Sequence, residues 1–152
     1  MSLPELLAAA RVRLVHAADR EAVLNAAATL LACDEASMAT LRESLLQREH
    51  ACSTAIGHGI AIPHGRAPLL KAPRGALLRL QTAIDFGAPD GQPVDLVFAM
   101  AIPADAADTW LDLLSELAMH FSDPGFRATL RSAPDAEALL AAFHDPHRQA
   151  AA

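Results

Sequence analysis

A short stretch at positions 53–66, STAIGHGIAIPHGR, constrains the fold of this chain more than any other segment. Gly57 and Gly59 can adopt positive φ angles and leave backbone amides unshielded, which favours a tight turn and a concave anion site. The apolar residues 60–62 then predict a brief buried strand. Pro63 fixes its own φ and keeps the preceding residue extended. We therefore expect the strand to present His64 in a defined orientation at a sheet edge.

His64 is the candidate reactive residue in this stretch. Neutral imidazole is a good nucleophile near neutral pH, and phosphoimidazole is a high-energy phosphoryl donor. Arg48 and Arg66 are near in sequence, and each guanidinium can offer paired donors to phosphoryl oxygens. This combination is equipped to take up a phosphoryl group, and it requires no metal or cofactor. The plainer alternatives are a buried structural histidine and two solvated surface arginines.

Charge balance and cysteine content exclude several functional classes. The chain of 152 residues has 18 acidic and 12 basic side chains, a net charge of −6, which argues against a nucleic-acid binder. Cys33 and Cys52 form no disulfide framework and indicate reduced thiols. The sequence has neither a signal-peptide pattern nor an apolar run of bilayer length. We therefore expect a cytoplasmic protein without direct membrane insertion.

Hydrophobic periodicity predicts an α/β protein. Apolar repeats predict helices over 20–32 and 37–49, the second with an inner stripe of Met38, Leu41 and Leu45. Strands are predicted near 12–16, 75–82 and 94–102, the last nearly all apolar, as in a central strand covered on both faces. Three helices follow, the first with Trp110 on its apolar stripe, and residues 1–10 predict a short helical lead-in. This order indicates a sandwich in which a small mixed β-sheet is flanked by helices on both sides. We expect a single domain over 1–152, with its core at about 11–143 and a C-terminal tail at 144–152.

A zinc site is an alternative interpretation of the same region. His50, Cys52, His58 and His64 lie within one short segment. Structural zinc sites usually contain close pairs such as C-x2-C or H-x3-H, and the spacing here matches none of these patterns. We therefore expect no metal ligands. The metal content of protein purified without an affinity tag distinguishes a zinc-binding interaction domain from a phosphoryl carrier.

Three segments carry a resemblance to a known family: Arg48 to Arg66, PVDLVFA at 93–99, and the turn at 103–105. Together they resemble the fructose/mannitol-type enzyme IIA (type 2) family of the bacterial phosphoenolpyruvate-dependent phosphotransferase system, and most of all its nitrogen-regulatory branch. The ordered pattern R-E…S-T-x-I-G-x-G-I-A-I-P-H is more specific than a glycine motif alone. The resemblance implies that His64 is the phosphorylated histidine and Arg48 an active-site arginine. It also implies that Gly57 and Gly59 form the loop beside them.

The resemblance further implies the partners of the chain. The donor is expected to be an HPr-type phosphocarrier, and the recipient a IIB domain or a regulatory target protein. A regulatory phosphohistidine carrier is the main expectation, and a sugar-permease IIA component that passes phosphate to a IIB domain is the alternative. The family commonly has a second histidine where this chain has Trp110. This departure bears on onward transfer more than on phosphorylation, and it favours a third possibility, an interaction module switched by phosphorylation.

Overall fold

Short strands and amphipathic helices build the chain, and the computed structural model describes residues 3–105 and 107–144. In chain order the elements are α1 Leu3–Leu6, β1 Leu7–Val15, α2 Arg20–Leu31, α3 Met38–Ala51, β2 Ala55–Gly57, β3 Ile60–Ala61, β4 His64–Ala67, β5 Arg74–Ile84, β6 Val94–Pro103, α4 Ala107–Phe121, α5 Pro124–Ser132 and α6 Ala136–His144.

The strands form one mixed sheet in the order β1-β5-β6-β3-β2, and β4 also pairs with β6. Strand β6 runs antiparallel to β5 on one side. On its other side it pairs in parallel with β3 and then, further along, with β4. The outer pairs are β1 parallel to β5 and β2 antiparallel to β3. Strand β6 is therefore the centre of the sheet.

Both faces of β6 are buried, as the sequence predicts for its long apolar run. Val97 and Ala99 pack in the core cluster that includes the inner residues of α2 and α3. Phe98 and Met100 point to the opposite face and pack with residues of α4, α5 and α6, because successive side chains of a strand alternate between faces. Helices thus cover both sides of a small mixed sheet, which confirms the predicted fold class.

The N-terminal segment differs from the sequence-based expectation. The predicted helical lead-in over residues 1–10 becomes one short helix, and strand β1 begins at Leu7. Leu6 and Leu7 are buried, so the core extends to the N-terminal side of residue 11. Pairing of Leu7 with Gly75 of β5 outweighs the helix preference of a local sequence rich in leucine and alanine. At the other terminus, His144 ends α6, and the rest of the predicted tail lies outside the described residues.

The inner stripe of α3 also differs by one position. Leu41 and Leu45 are buried as predicted, but Met38, the first residue of the helix, is 41% exposed. The third buried position of the stripe belongs instead to Glu49, one helical repeat after Leu45. A carboxylate therefore occupies a position where the periodicity predicts an apolar side chain.

Gly65 allows helix α3 to lie close against β4. A Cβ atom at this position would lie 2.6 Å from Ser44 Oγ and 3.2 Å from the backbone nitrogen of Leu45. The Ser44 hydroxyl in turn accepts a hydrogen bond of 2.9 Å from the amide of Arg66. This contact covers a backbone donor of an edge strand and brings the last turns of α3 over the start of β4.

We predict that Gly65→Ala lowers the free energy of unfolding by about 1–3 kcal/mol, because the added methyl group must push α3 away from β4. Urea denaturation measures this loss. Gly125→Ala is the matched control, since the atom nearest to its new Cβ would be Asp123 Oδ1 at 3.3 Å, the end of a side chain. Equal stability of Gly65→Ala and wild type would contradict the tight packing of α3 on β4.

Candidate functional site

His64 is the first residue of β4, directly after an interruption of the ladder along β6. Ala61 pairs with Val97, and pairing resumes where His64 lies opposite Met100. Pro63 has no N–H to donate, but its carbonyl accepts a hydrogen bond of 2.9 Å from the Met100 amide. The predicted strand over 60–62 therefore ends one residue earlier, and the interruption turns the half-buried His64 side chain out of the sheet core.

Two hydrogen bonds hold the imidazole ring of His64. Its Nδ1 lies 3.0 Å from the carbonyl oxygen of Ile62, and Arg48 Nε donates to its Nε2 over 3.1 Å. A carbonyl can only accept and an arginine N–H can only donate, so the two contacts together require a proton on Nδ1 and a lone pair on Nε2. The ring nitrogen that carries the lone pair is therefore the one that faces Arg48.

Both arginines predicted to act at the site also bond to backbone carbonyls. Arg48 Nη1 donates to the carbonyl of Cys52 over 2.6 Å, which fixes the guanidinium at the C-terminal end of α3. Arg66 Nη1 donates to the carbonyl of Ala104 over 2.7 Å and so ties β4 to the turn before α4. A guanidinium carries five N–H groups, so each arginine has further donors besides those used in these bonds.

Trp110 lies against the His64 ring from the start of α4. The two ring centroids are 4.4 Å apart, and the ring planes are inclined at 44°. On the same helix, Leu113 and Leu117 are buried, whereas Trp110 is only partly buried. The tryptophan is therefore at the margin of the core and forms one wall of the histidine site.

An open cavity of about 480 Å³ adjoins His64. The structure brings four of the predicted site residues together around it: Arg48, His64, Arg66 and Trp110. The complete lining is Ser44, Gln47, Arg48, His64, Gly65, Arg66, Ile102 and Trp110. Ser44 and Gln47 were not recognised from the sequence, although Ser44 lies four residues before Arg48, and Gln47 lies three residues after Ser44, both spacings that place side chains on one helix face.

Burial lowers the pKa of His64 below its ordinary value of 6.5. The hydrogen bond to the Ile62 carbonyl raises the pKa, as does the charge of Glu49, whereas the charges of Arg48 and Arg66 lower it. The net effect keeps the imidazole neutral at physiological pH, which is the protonation state that a nucleophile requires.

Glu49 is a polar residue of this region to which sequence reasoning assigned no role. Its side chain is 2% exposed, and its carboxylate accepts hydrogen bonds from the amide and the hydroxyl of Thr54. The signal in the sequence is the spacing of four residues from Leu45, which places a charge on an otherwise apolar helix stripe. A buried carboxylate requires hydrogen-bond donors, and Thr54 supplies two of them to Glu49.

The structure does not bring Gly57 and Gly59 to His64, contrary to the expectation that their amides lie beside it. Both glycines and the intervening His58 have positive φ angles, 97°, 78° and 58° respectively. Their loop joins β2 to β3 near Leu96, whereas His64 pairs with Met100, about 13 Å further along β6. Neither glycine lines the cavity.

The glycine loop does bind an anionic group, but this group belongs to the chain itself. The amide of His58 donates to the Asp90 carboxylate over 2.8 Å. This bond, together with a further amide bond from Gln92, lowers the pKa of Asp90. Arg131, which is ion-paired with Asp95 at 2.9 Å, donates to the His58 carbonyl. These bonds stabilise the left-handed turn and occupy the amide and the carbonyl of His58.

Two further findings concern the described part of the chain. Within residues 3–105 and 107–144, no three histidine, cysteine or acidic side chains are grouped so that they could hold a metal ion, so His50, Cys52, His58 and His64 do not form a cluster. None of the helices described there is both long enough and apolar enough to cross a membrane.

Comparisons with known proteins agree with this architecture. Residues 5–145 match the sequence model of the family described as "Phosphoenolpyruvate-dependent sugar phosphotransferase system, EIIA 2". A nitrogen regulatory protein of Pseudomonas aeruginosa is 41% identical over 127 residues, 82% of each chain. The PTS system fructose-specific EIIABC component of Bacillus subtilis is 33% identical over 145 residues, which cover 92% of this chain and 22% of that protein.

Among solved structures, the nitrogen regulatory protein IIA-Ntr of Neisseria meningitidis matches with a TM-score of 0.87 at 34% identity. The match covers 93% of this chain and 98% of that one. The family match extends over nearly the whole of the described structure, from α1 to α6. The chain belongs to the EIIA type 2 family of the phosphoenolpyruvate-dependent sugar phosphotransferase system.

Proposed function

We propose that the chain is a phosphohistidine carrier that accepts a phosphoryl group on Nε2 of His64 from an HPr-type phosphocarrier in the cytoplasm. The observation that carries the proposal is the state of the His64 ring. Its Nδ1 proton is engaged by the Ile62 carbonyl, and its Nε2 lone pair faces an arginine in an open cavity. Among histidines in proteins, a neutral ring held in one tautomer beside cationic groups is suited to nucleophilic attack on phosphorus.

In the proposed step, the lone pair of His64 Nε2 attacks the phosphorus of a donor phosphohistidine. The new N–P bond forms as the donor N–P bond breaks, and the leaving imidazole nitrogen keeps the bonding electron pair. No proton has to move, because the donor and acceptor rings each retain the N–H of their second nitrogen. The protein therefore supplies alignment and compensation of charge rather than acid–base catalysis.

Arg48 has a different task before and after transfer. In the unphosphorylated protein its Nε–H binds the same lone pair that must attack phosphorus. Formation of the N–P bond removes that acceptor, and the guanidinium is then placed to donate to the phosphoryl oxygens. Its anchor on the Cys52 carbonyl keeps it at the site throughout. Arg66, which also lines the cavity, is the second candidate donor.

The similarity to nitrogen regulatory proteins supports a regulatory role, in which the phosphorylation state of His64 controls binding to a target protein. The similarity to a fructose-specific EIIABC component supports the alternative, onward transfer to a IIB domain. Trp110 favours the regulatory role, because indole has a single N–H and cannot take up a proton as a second imidazole could. Transfer assays with candidate IIB domains distinguish these alternatives.

The first prediction tests the phosphorylation site. Incubation with phosphoenolpyruvate, enzyme I and an HPr-type carrier is expected to label wild type but not His64→Ala, and the label should be lost in acid and survive base, as in a phosphoramidate. His50→Ala is the control, since His50 is an exposed residue of α3 outside the cavity lining. Undiminished labelling of folded His64→Ala would overturn the proposed function.

A second prediction concerns Arg48. Arg48→Ala is expected to slow labelling of His64 roughly ten- to a hundredfold, the effect of losing a charged hydrogen bond in the transition state. It should also raise the pKa of His64, because the arginine charge lowers it. Arg48→Lys should recover only part of the rate, since an ammonium group lacks the planar fork of a guanidinium.

The control for Arg48 is Arg42→Ala, which removes an exposed arginine from the same helix. Rapid-quench labelling gives the rates, and NMR titration of the imidazole gives the pKa. If Arg48→Ala is labelled at the wild-type rate, Arg48 has only a structural role at the end of α3.

A third prediction uses Trp110, the sole tryptophan of the sequence. Because its ring contacts His64, a phosphoryl dianion on Nε2 should shift or quench its fluorescence, and the indole should shield the phosphoryl group from water. We expect Trp110→His to shorten the lifetime of the phosphorylated protein and to speed transfer to an acceptor. Unchanged emission at complete phosphorylation, with unchanged lifetime in Trp110→His, would show that Trp110 acts only in packing.

A further inference from the structure

The buried carboxylate of Glu49 is connected to the reactive histidine through backbone groups. Glu49 Oε1 accepts the amide of Thr54 over 3.1 Å, and Oε2 accepts its hydroxyl over 2.5 Å. The carbonyl of Thr54 accepts the amide of Ile62 over 3.0 Å. The carbonyl of Ile62 then accepts Nδ1 of His64, also over 3.0 Å. Hydrogen bonds thus link four residues in succession, from Glu49 through Thr54 and Ile62 to His64.

Arg48 and Glu49 are neighbours in the last turns of α3, and they hold opposite sides of the same imidazole ring. Arg48 binds Nε2 directly, whereas Glu49 acts on Nδ1 through Thr54 and Ile62. Because consecutive helix residues point in different directions, one side chain reaches the cavity while the other enters the core. Helix α3 therefore contacts Nε2 directly and is linked to Nδ1 through two intervening residues.

A purely structural link between α3 and Thr54 does not need a charge. Burial of a carboxylate is unfavourable unless it is compensated by hydrogen bonds or by nearby cations. Among the side chains that the structure describes, the charges that act on His64 are those of Arg48 and Glu49 from α3 and Arg66 from β4, and Trp110 from α4 is uncharged. Within this described set, Glu49 supplies the negative charge that opposes two guanidinium groups.

We propose that Glu49 is a positioning residue for phosphoryl transfer, which holds His64 in the Nδ1–H tautomer through Thr54 and Ile62 and stabilises the positive charge that develops on the ring. The inference rests on the proposed function, in which Nε2 is the nucleophile. When Nε2 bonds to phosphorus and Nδ1 keeps its proton, the ring becomes cationic, and a buried carboxylate nearby favours that state.

The direction of the pKa effects agrees with this role. Burial lowers the pKa of His64 most strongly, and Arg48 and Arg66 lower it further. The Ile62 carbonyl and the charge of Glu49 raise it. Removal of the Glu49 charge while its hydrogen bonds are kept should therefore lower the pKa of His64, the opposite of the change expected for removal of Arg48.

The decisive variants are Glu49→Gln and Thr54→Val. Glutamine can still accept the Thr54 amide and can donate to its hydroxyl, so Glu49→Gln removes the charge and keeps the shape. Valine keeps the shape of threonine and removes the hydroxyl donor. Glu43→Gln is the matched control, an exposed glutamate on the same helix, and Thr54→Ser, which retains a hydroxyl, should restore wild-type behaviour to position 54.

The primary measurement is nitrogen-15 NMR of the His64 ring in unphosphorylated protein, followed through a pH titration. We expect Glu49→Gln to lower the titration midpoint and Thr54→Val to reduce the fraction of the Nδ1–H tautomer. In labelling assays Glu49→Gln should lose roughly tenfold in rate, equivalent to about 1.4 kcal/mol. A merely structural role would change the free energy of unfolding and leave the midpoint and tautomer of His64 unaltered.

A wild-type midpoint in folded Glu49→Gln, together with a wild-type tautomer in folded Thr54→Val, would overturn the inference. Should one of these variants fail to fold, the other, compared with its control, decides the question. Failure of the proposed function gives a separate result, since wild type would then not be labelled although the NMR differences persist. Labelling of wild type without any NMR difference would overturn only the role of Glu49.

Discussion

Burial of β6 on both faces is the constraint on which the arrangement of the site depends. Such a strand must be apolar wherever both of its faces are covered, which in β6 leaves only the partly exposed Asp95 charged, and its backbone groups must be paired along both edges. Strand β5 pairs with one edge, and β3 and β4 pair in succession with the other. Because β4 can pair only where β6 offers free groups, His64 is held opposite Met100, and helix α3 is packed over that point through Gly65.

The chemistry of the site depends on a balance of charges around a half-buried imidazole. Burial and two guanidinium groups keep the ring neutral, as a nucleophile must be, while a buried carboxylate acts in the opposite direction. The bonds at the two ring nitrogens, one from a guanidinium and one to a backbone carbonyl, distinguish them. Trp110 adds an uncharged wall. The proposed carrier therefore has a preorganised acceptor nitrogen. Its orientation is fixed by the fold before the donor protein binds, so the entropy cost of orienting the ring does not fall on the transfer step.

The glycine loop shows how a motif can be recognised correctly and placed wrongly. Its positive φ angles and exposed amides follow from the residues themselves. The anionic partner of the loop does not follow from the local residues, because the His58 amide binds Asp90, which comes from a turn distant in the sequence. The hairpin between β2 and β3 also carries the loop toward the end of β6 remote from His64. Local sequence thus predicted the type of turn, and strand pairing decided its neighbours.

The amino-acid sequence by itself determined the fold class, the doubly covered central strand and the principal helices, because hydrophobic periodicity depends only on which residues must be buried. It also singled out Arg48, His64, Arg66 and Trp110, which the structure brings around one cavity, although their roles in phosphoryl transfer stay predictions. Only the tertiary structure decided that β1 begins at Leu7 and that Glu49 is linked to His64 through Thr54 and Ile62. These features depend on contacts between segments far apart in the chain, and no local pattern of residues specifies such contacts.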